Sequence, residues 1–198
     1  MVEALLFDIG NVIIAFDFSK AAKRIEPLCD KSSDEILTLV SSLTGPLERG
    51  EITPHEFYES TTDLINYRGE QDFMARSFED IFELNEAIVQ FIHEQKTAGK
   101  ALFLLSNTNG IHVPFFERTY RVFDQFGGRI YSHEVGVMKP DPKIYEIAKA
   151  KLSLDPSKTL YIDDLPDNCA AGREAGFRTI QYDRHHHEAF LAAAAEWL

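Results

Sequence analysis

The chain has 198 residues, of which 44% are hydrophobic and 26% charged, and a formal net charge of −12. That length accommodates one full core plus an insertion, and the composition is that of an ordinary soluble globular protein. The acidic balance excludes broad nucleic-acid binding and attraction to an anionic membrane surface, since both need a basic face. A small anionic substrate stays open, because a metal ion and one or two cations reverse the field locally.

The first apolar run, Ala4 to Phe7, has strand length and stops at Asp8. A second apolar run follows at once, so Asp8 is a carboxylate in apolar surroundings, costly unless paired, hydrogen-bonded or metal-bound. No basic leader precedes the stretch, which is read as neither signal peptide nor membrane span; a cytoplasmic protein is expected. From about Phe16 to Glu83 the chain shows no convincing strand but at least three helix starts. Ser32-Ser33-Asp34-Glu35 and Thr53-Pro54-His55-Glu56 both fit the capping box, in which the Ser or Thr oxygen and the Glu close each other's free backbone donors. Phe57, Tyr58, Leu64 and Ile65 fall at helical spacing, Phe73, Phe78, Ile81 and Phe82 follow, and core packing is the role expected of them. A helical block directly after the first strand is expected to cap the sheet's carboxyl edge, where ligands bind in open α/β sheets. The turn Gly45-Pro46-Leu47-Glu48-Arg49-Gly50 offers Glu48 and Arg49 either as substrate-facing groups or as a solvated salt bridge.

From residue 85 onward strands and helices alternate. Asn85 to Ile92 begins a helix that stops at Gly99, and Ala101 to Leu105 is a strand. Pro142 and Pro166 each open a helix from its first turn. Leu160 to Ile162 and Thr179 to Tyr182 are strands, and Glu188 to Leu198 is an alanine-rich amphipathic helix. This alternation means a doubly wound parallel α/β sheet. The expected division is a Rossmann-like core of residues 1–15 and 85–198 with an all-helical cap, residues 16–84, inserted after the first strand. His185, His186 and His187 are consecutive and cannot face one way, so a solvated turn is expected there. Cys29 and Cys169 lack metal-type spacing and are expected to be reduced and structural. Repeats, low-complexity linkers and a G-x-G-x-x-G loop are all absent from the sequence.

Polar groups mark the strand ends. Asp8 ends the first, Ser106 with Asn107 ends the second, Asp163 and Asp164 end the third, and Lys139 precedes a helix in Gly136-Val137-Met138-Lys139-Pro140. Singly each has a plain structural explanation; together at one sheet edge they suit phosphoryl transfer. A carboxylate can attack phosphorus and carry it as an acyl phosphate, splitting one hard displacement into two easier ones. An anion approaching a phosphate dianion needs charge neutralisation, which Mg²⁺ supplies through a few carboxylates and waters, with Lys139 adding to it. A serine hydroxyl and backbone N–H groups at a helix start would hold the remaining oxygens.

Asp8-Ile9-Gly10-Asn11-Val12, Ser106 after an apolar strand, Lys139-Pro140, and Asp163-Asp164 with Asn168 resemble the four motifs of the haloacid dehalogenase superfamily, in order and spacing. The helical insertion is similar to that superfamily's small helical cap. Leu47-Glu48-Arg49-Gly50-Glu51-Ile52 and Ser106-Asn107-Thr108-Asn109 most resemble its bacterial glucose-1-phosphatase-like branch, and the phosphatase domain of soluble epoxide hydrolase is a more distant likeness. The resemblance implies that Asp8 is nucleophile and Mg²⁺ ligand, that Ser106 and the Asn107 backbone amide bind the phosphoryl group, and that Lys139 binds phosphate and orients Asp8. It implies Asp164 as the better metal ligand of the pair, Asp163 as ligand or water-mediated support, the Gly10 carbonyl as a further ligand, and Asp167 or Asn168 in support.

Typical phosphatases of the superfamily carry an aspartate where this chain has Gly10. That side chain protonates the leaving oxygen and later activates water, help worth roughly 10² to 10⁴ in rate. Three repairs are open: a cap residue such as Glu48 or His55, water itself, or an easily expelled oxygen such as that of an anomeric sugar phosphate. The expected activity is hydrolysis of a small phosphorylated metabolite. A phosphomutase depends more on the missing acid, a dehalogenase has no use for the acidic pair, and a signalling receiver domain carries its acids in the opposite order. A phospho-ligand-binding homologue without turnover is the alternative of a different class. Oligomeric state is not legible.

Overall fold

Leu5 and Phe7 point to one side of the first strand and Leu6 to the other, and the chain lays helices against both sides of that alternation. A computed structural model describes residues 1–198. In chain order its elements are β1 (Ala4–Phe7), β2 (Ile14–Phe16), α1 (Phe18–Ile25), α2 (Ser33–Glu48), α3 (Pro54–Ile65), α4 (Gln71–Glu79), β3 (Phe82–Leu84), α5 (Glu86–Thr97), β4 (Ala101–Ser106), α6 (His112–Thr119), β5 (Gly128–Tyr131), α7 (Ser132–Val135), α8 (Pro142–Leu152), β6 (Thr159–Asp163), α9 (Pro166–Glu174), β7 (Arg178–Gln181) and α10 (His187–Ala195).

Five parallel strands form one sheet in the order β5-β4-β1-β6-β7. One face packs Leu5, Phe7, Leu102 and Leu104 against Phe91 and Ile92 of α5 and Phe190 of α10. The other packs Leu6, Leu105, Ile130 and Tyr161 against Ile144, Tyr145 and Ala148 of α8. Phe7 lies level with Leu104 on one neighbour and Ile162 on the other, so β1, β4 and β6 end together. Strand order reverses about β1, which is where open α/β sheets place ligands.

Helices α1 to α4 enclose a second apolar cluster, with Ala21, Ala22 and Ile25 meeting Ile36, Val40, Phe57, Ile65, Met74 and Phe78. Both capping boxes form, at Ser32 with Glu35 and at Thr53 with Glu56. Each N-cap is worth about 1 kcal/mol. Ile111, just before α6, joins this cluster and ties the helical insert to the sheet layer.

Four local expectations need correction. Phe16, Phe82 and Glu83 are strand residues: β2 and β3 pair antiparallel, Phe16 opposite Phe82, where both chain crossings of the insert meet. Their length, three residues each, leaves no period-2 signal to read. The edge strand β5 was hidden for a similar reason, since Gly128-Arg129-Ile130-Tyr131 has only two apolar residues. Gly45 to Glu48 form the last turn of α2 rather than a loop, with Pro46 inside the helix; helix interiors ordinarily exclude proline. Leu64 and Phe73 are 39% and 38% exposed, not core.

The end of α2 is fixed by glycine. Gly50 has φ +66, and a Cβ there would meet the His133 carbonyl oxygen at 2.3 Å, so only glycine allows α2 to approach α7 this closely. Cys29 and Cys169 are free thiols. His185 and His186 are exposed, while His187 turns in against the Tyr182 hydroxyl at 3.1 Å. No helix is long and apolar enough to cross a membrane.

Candidate active site

Lys139 is the hub of the sheet's carboxyl edge. Its side chain is 1% exposed, and its ammonium donates to Asp8 Oδ1 at 2.8 Å, Asp163 Oδ2 at 2.7 Å and the Leu105 carbonyl at 3.0 Å. Those three acceptors use all three ammonium protons. Against the cost of burial, Asp8 and Asp163 hold the ammonium well above its ordinary value, so it stays charged. The loop that carries it is held from β4: the Asn107 side chain accepts from the Lys139 backbone N–H at 2.8 Å and donates to its carbonyl at 2.9 Å. The Asn107 side chain is therefore committed to Lys139. Any role in binding a ligand falls to its backbone.

Asp163 is surrounded by donors. Lys139 and the Tyr161 hydroxyl reach Oδ2, while the Leu165 N–H at 2.9 Å and the Asn168 amide at 3.0 Å reach Oδ1. Burial alone would raise this carboxyl, but Lys139 and the hydrogen bonds outweigh it and hold it below its usual range. Asp164 has a different setting. It is half-buried, its carboxylate accepts only from the Asn11 amide, at 3.2 Å, and burial raises it. Asn11 reaches across because it sits in the left-handed region, φ 53, which asparagine tolerates better than most residues. Asp8 is buried and pushed up to about 7, first by burial and then by the nearby Asp163 and Asp164 against the pull of Lys139.

The carboxylates of Asp8, Asp163 and Asp164 approach within 4.8 Å of one another with one ammonium between them. Hard oxygen donors around an excess of negative charge fit a divalent cation such as Mg²⁺. Asp8 and Asp164 keep unshared oxygens that can ligate, whereas the donors around Asp163 suit it to positioning. Of the two candidates for support, Asn168 is buried on Asp163 and Asp167 is exposed.

Ser106 ends β4 and is 2% exposed. It lines a small cavity of about 70 Å³ together with Gly10, Asn107, Thr108, Phe16 and Glu48. The loop behind it is braced: the Ser132 hydroxyl accepts from the Thr108 N–H and donates to its carbonyl, each at 3.0 Å. Asn109 Oδ1 accepts from the Ile111 and His112 N–H groups and starts α6. Of the three charged or titratable cap residues singled out in the sequence, Glu48, Arg49 and His55, only Glu48 lines this cavity. His55 is exposed on α3 beside Glu59, and Arg49 closes on Glu51 at 2.6 and 3.0 Å.

Sequence reasoning missed Asn11, Tyr161 and Phe16. Tyr161 had a signal, since it lies two residues before Asp163 on one strand and must share its face. Phe16 had none, because its ring covers Gly10 only once the ribbon has formed.

Residues 2–176 match the model of the haloacid dehalogenase-like hydrolases. A D-ribitol-5-phosphate phosphatase of Bacteroides thetaiotaomicron is 27% identical over 191 residues, 91% of this chain and 92% of that protein. A sesquiterpene phosphatase of Aspergillus oryzae is 23% identical, covering 88% and 86% of the two chains. Among solved structures, a haloacid dehalogenase family enzyme of B. thetaiotaomicron, in complex with magnesium and inorganic phosphate, superposes with a TM-score of 0.81 at 24% identity, over 93% of this chain and 96% of that one. With the five-stranded sheet, the helical insert after β1 and the acidic edge all in place, the family is established: this protein is a haloacid dehalogenase-like hydrolase.

Proposed function

We propose that this protein is a Mg²⁺-dependent phosphatase that hydrolyses a small phosphorylated metabolite through a phospho-aspartate at Asp8. The buried Lys139 ammonium, shared between Asp8 and Asp163 at the ends of adjacent strands, is the observation that carries the reading. Mg²⁺ held by Asp8, Asp164 and the Gly10 carbonyl supplies charge neutralisation to the phosphoryl oxygens. Asp8 attacks phosphorus and the ester oxygen departs. Lys139 keeps the Asp8 carboxylate oriented, pulls it toward the ionised form against burial, and adds a positive charge at the site. Ser106 and the Asn107 backbone hold phosphoryl oxygens. Water then attacks the acyl phosphate and releases inorganic phosphate and Asp8.

The ribitol-5-phosphate phosphatase likeness supports a sugar or polyol phosphate. Gly10 keeps anomeric sugar phosphates in view, in line with the resemblance to the glucose-1-phosphatase-like branch. One observation favours a different ester. A cavity of about 200 Å³ opens between α1 and α2, is walled mainly by Ile36, Val40, Phe57, Phe78 and Ile111, and shares Phe18, Glu48 and His112 with the cavity at Ser106. Those walls suit an apolar body, as the sesquiterpene phosphatase likeness also suggests.

Phosphate release from p-nitrophenyl phosphate, with Mg²⁺ and with chelator, tests the reading in wild type and Asp8→Asn. Metal-dependent turnover lost in the variant is expected. Absence of turnover, or turnover indifferent to Asp8, overturns it in favour of a phospho-ligand-binding protein. D-ribitol 5-phosphate, glucose 1-phosphate and an isoprenoid monophosphate then sort the substrate classes.

A further inference from the structure

Expelling an alkoxide from phosphorus at neutral pH requires a proton donor beside the leaving oxygen. The site contains few groups able to serve. Asp8 is committed to the attack and Asp164, on the reading above, to the metal, Lys139 spends its three protons on fixed acceptors, and Asp163 is filled by donors. His112, although it lines the cavity, is pushed down to about 4 by burial and is bound through Nδ1 to Asn109 at 3.1 Å, so it carries no acidic proton at pH 7. Gly10 offers nothing, and the space beside it is taken: a Cβ there would already lie 3.0 Å from the Phe16 ring.

Glu48 is the group left over. It ends α2, points into the cavity that Gly10, Ser106 and Asn107 line, and also borders the larger apolar cavity. Its carboxyl is half-buried, yet no hydrogen bond and no ion pair holds it, while its neighbour Arg49 is closed on Glu51. A carboxyl that borders both cavities lies between the Ser106 side, where the phosphoryl group would sit, and the apolar side, where the rest of the ester would.

We infer that Glu48 is the proton donor and acceptor of this site, an inference that rests on the phosphatase reading above. As Asp8 forms its bond to phosphorus, the bond from phosphorus to the ester oxygen breaks. That oxygen takes the Glu48 proton and leaves as an alcohol, with Glu48 now a carboxylate. In the second step a water gives its proton back to Glu48 while its oxygen bonds to phosphorus and the bond to Asp8 breaks. The products are inorganic phosphate, ionised Asp8 and protonated Glu48, so the cycle closes. Burial pushes the Glu48 carboxyl up, against the pull of Lys139 and Arg49, in the direction an acid needs. The remaining titratable neighbour in its cavities, His112, is neutral.

The test compares wild type, Glu48→Gln and Glu48→Asp on p-nitrophenyl phosphate, whose leaving group departs unprotonated, and on alkyl monophosphates (D-ribitol 5-phosphate and 2-phenylethyl phosphate). Glu48→Gln is expected to lower kcat/KM, which reports formation of the phospho-aspartate, by roughly 10² to 10⁴ on the alkyl esters and by less than about tenfold on the aryl ester, while slowed hydrolysis of the shared phospho-aspartate gives a burst of p-nitrophenol. Glu48→Asp, still an acid but one methylene shorter, recovers part of the alkyl activity. The high-pH fall of kcat/KM with the alkyl ester disappears in Glu48→Gln, a change that a merely structural role would not produce. Equal losses of kcat/KM on both ester types, no loss on either, or a wild type that turns over aryl but no alkyl phosphate overturns the inference and leaves the phosphatase reading standing. Turnover indifferent to Asp8→Asn defeats both.

Discussion

The side-chain amide of Asn107 and the backbone of Lys139 grip each other through two hydrogen bonds, 2.8 and 2.9 Å long, across 32 residues of sequence. This contact sets where the buried ammonium stands relative to Asp8. Asn107→Ala leaves a backbone donor and acceptor unpaired in a site largely closed to water, which costs about 1 to 3 kcal/mol. Chemical denaturation should show that loss. Phosphatase kcat should fall by about tenfold or more as Lys139 loosens, with Asn107→Asp intermediate because it keeps the acceptor and loses the donor.

Lys139→Met removes the charge that two buried carboxylates share. Breaking a buried ion pair from one side costs about 3 to 5 kcal/mol, so the variant is expected to melt well below wild type and to lose activity. Asp8→Asn in the Lys139→Met background removes one of the stranded charges and should recover part of the melting temperature without recovering turnover. A double variant no more stable than Lys139→Met would show that the two side chains are not coupled as their 2.8 Å contact implies.

The acidic edge should report metal binding in the absence of any substrate. A ligand that binds only the folded state raises stability by mass action, and the three converging carboxylates give a cation much to neutralise. Mg²⁺ is expected to raise the melting temperature of the wild type and to do so much less in Asp164→Asn. An equal shift in both would exclude Asp164 as a ligand. Chelator should abolish phosphate release and leave the protein folded.

His112 makes stability depend on pH. Burial lowers its folded value to about 4 from 6.5, so between those values the unfolded chain binds a proton that the folded chain does not. Stability is then fully present above pH 6.5 and falls as pH drops toward 4. The expected loss from this one group between pH 7 and pH 5 is about 2 kcal/mol. Urea titrations at the two pH values should show it in wild type, and the difference should shrink by about that amount in His112→Gln.

The strand ends were legible because a carboxylate or serine after a run such as Leu160-Tyr161-Ile162 is conspicuous, and such runs end at one edge once the sheet is parallel. The capping boxes were legible because they are local: Ser32 with Glu35 and Thr53 with Glu56 need only three residues of chain. What stayed hidden depends on tertiary contact. The Asn11 amide reaches Asp164 across 153 residues, and Phe16 covers Gly10 only through the ribbon with β3. Pro46 pointed to a turn and was overruled, because α2 carries on for two residues more to Glu48 and buries Leu47 in the insert's core. Glu48 and Arg49 could not be told apart in the sequence; their opposite surroundings follow from where that helix stops.

The ribbon that pairs Phe16 with Phe82 brings both ends of a 65-residue excursion, residues 17 to 81, side by side. A segment whose ends already touch constrains its host very little, and loop-closure entropy grows only slowly with length. The core can therefore exchange this excursion for another of different size without re-registering a strand, provided the two short strands are kept. Substrate choice is in this sense a replaceable part: a chimaera joined at positions 16 and 82 should fold around the same acidic edge and present it to a different set of esters.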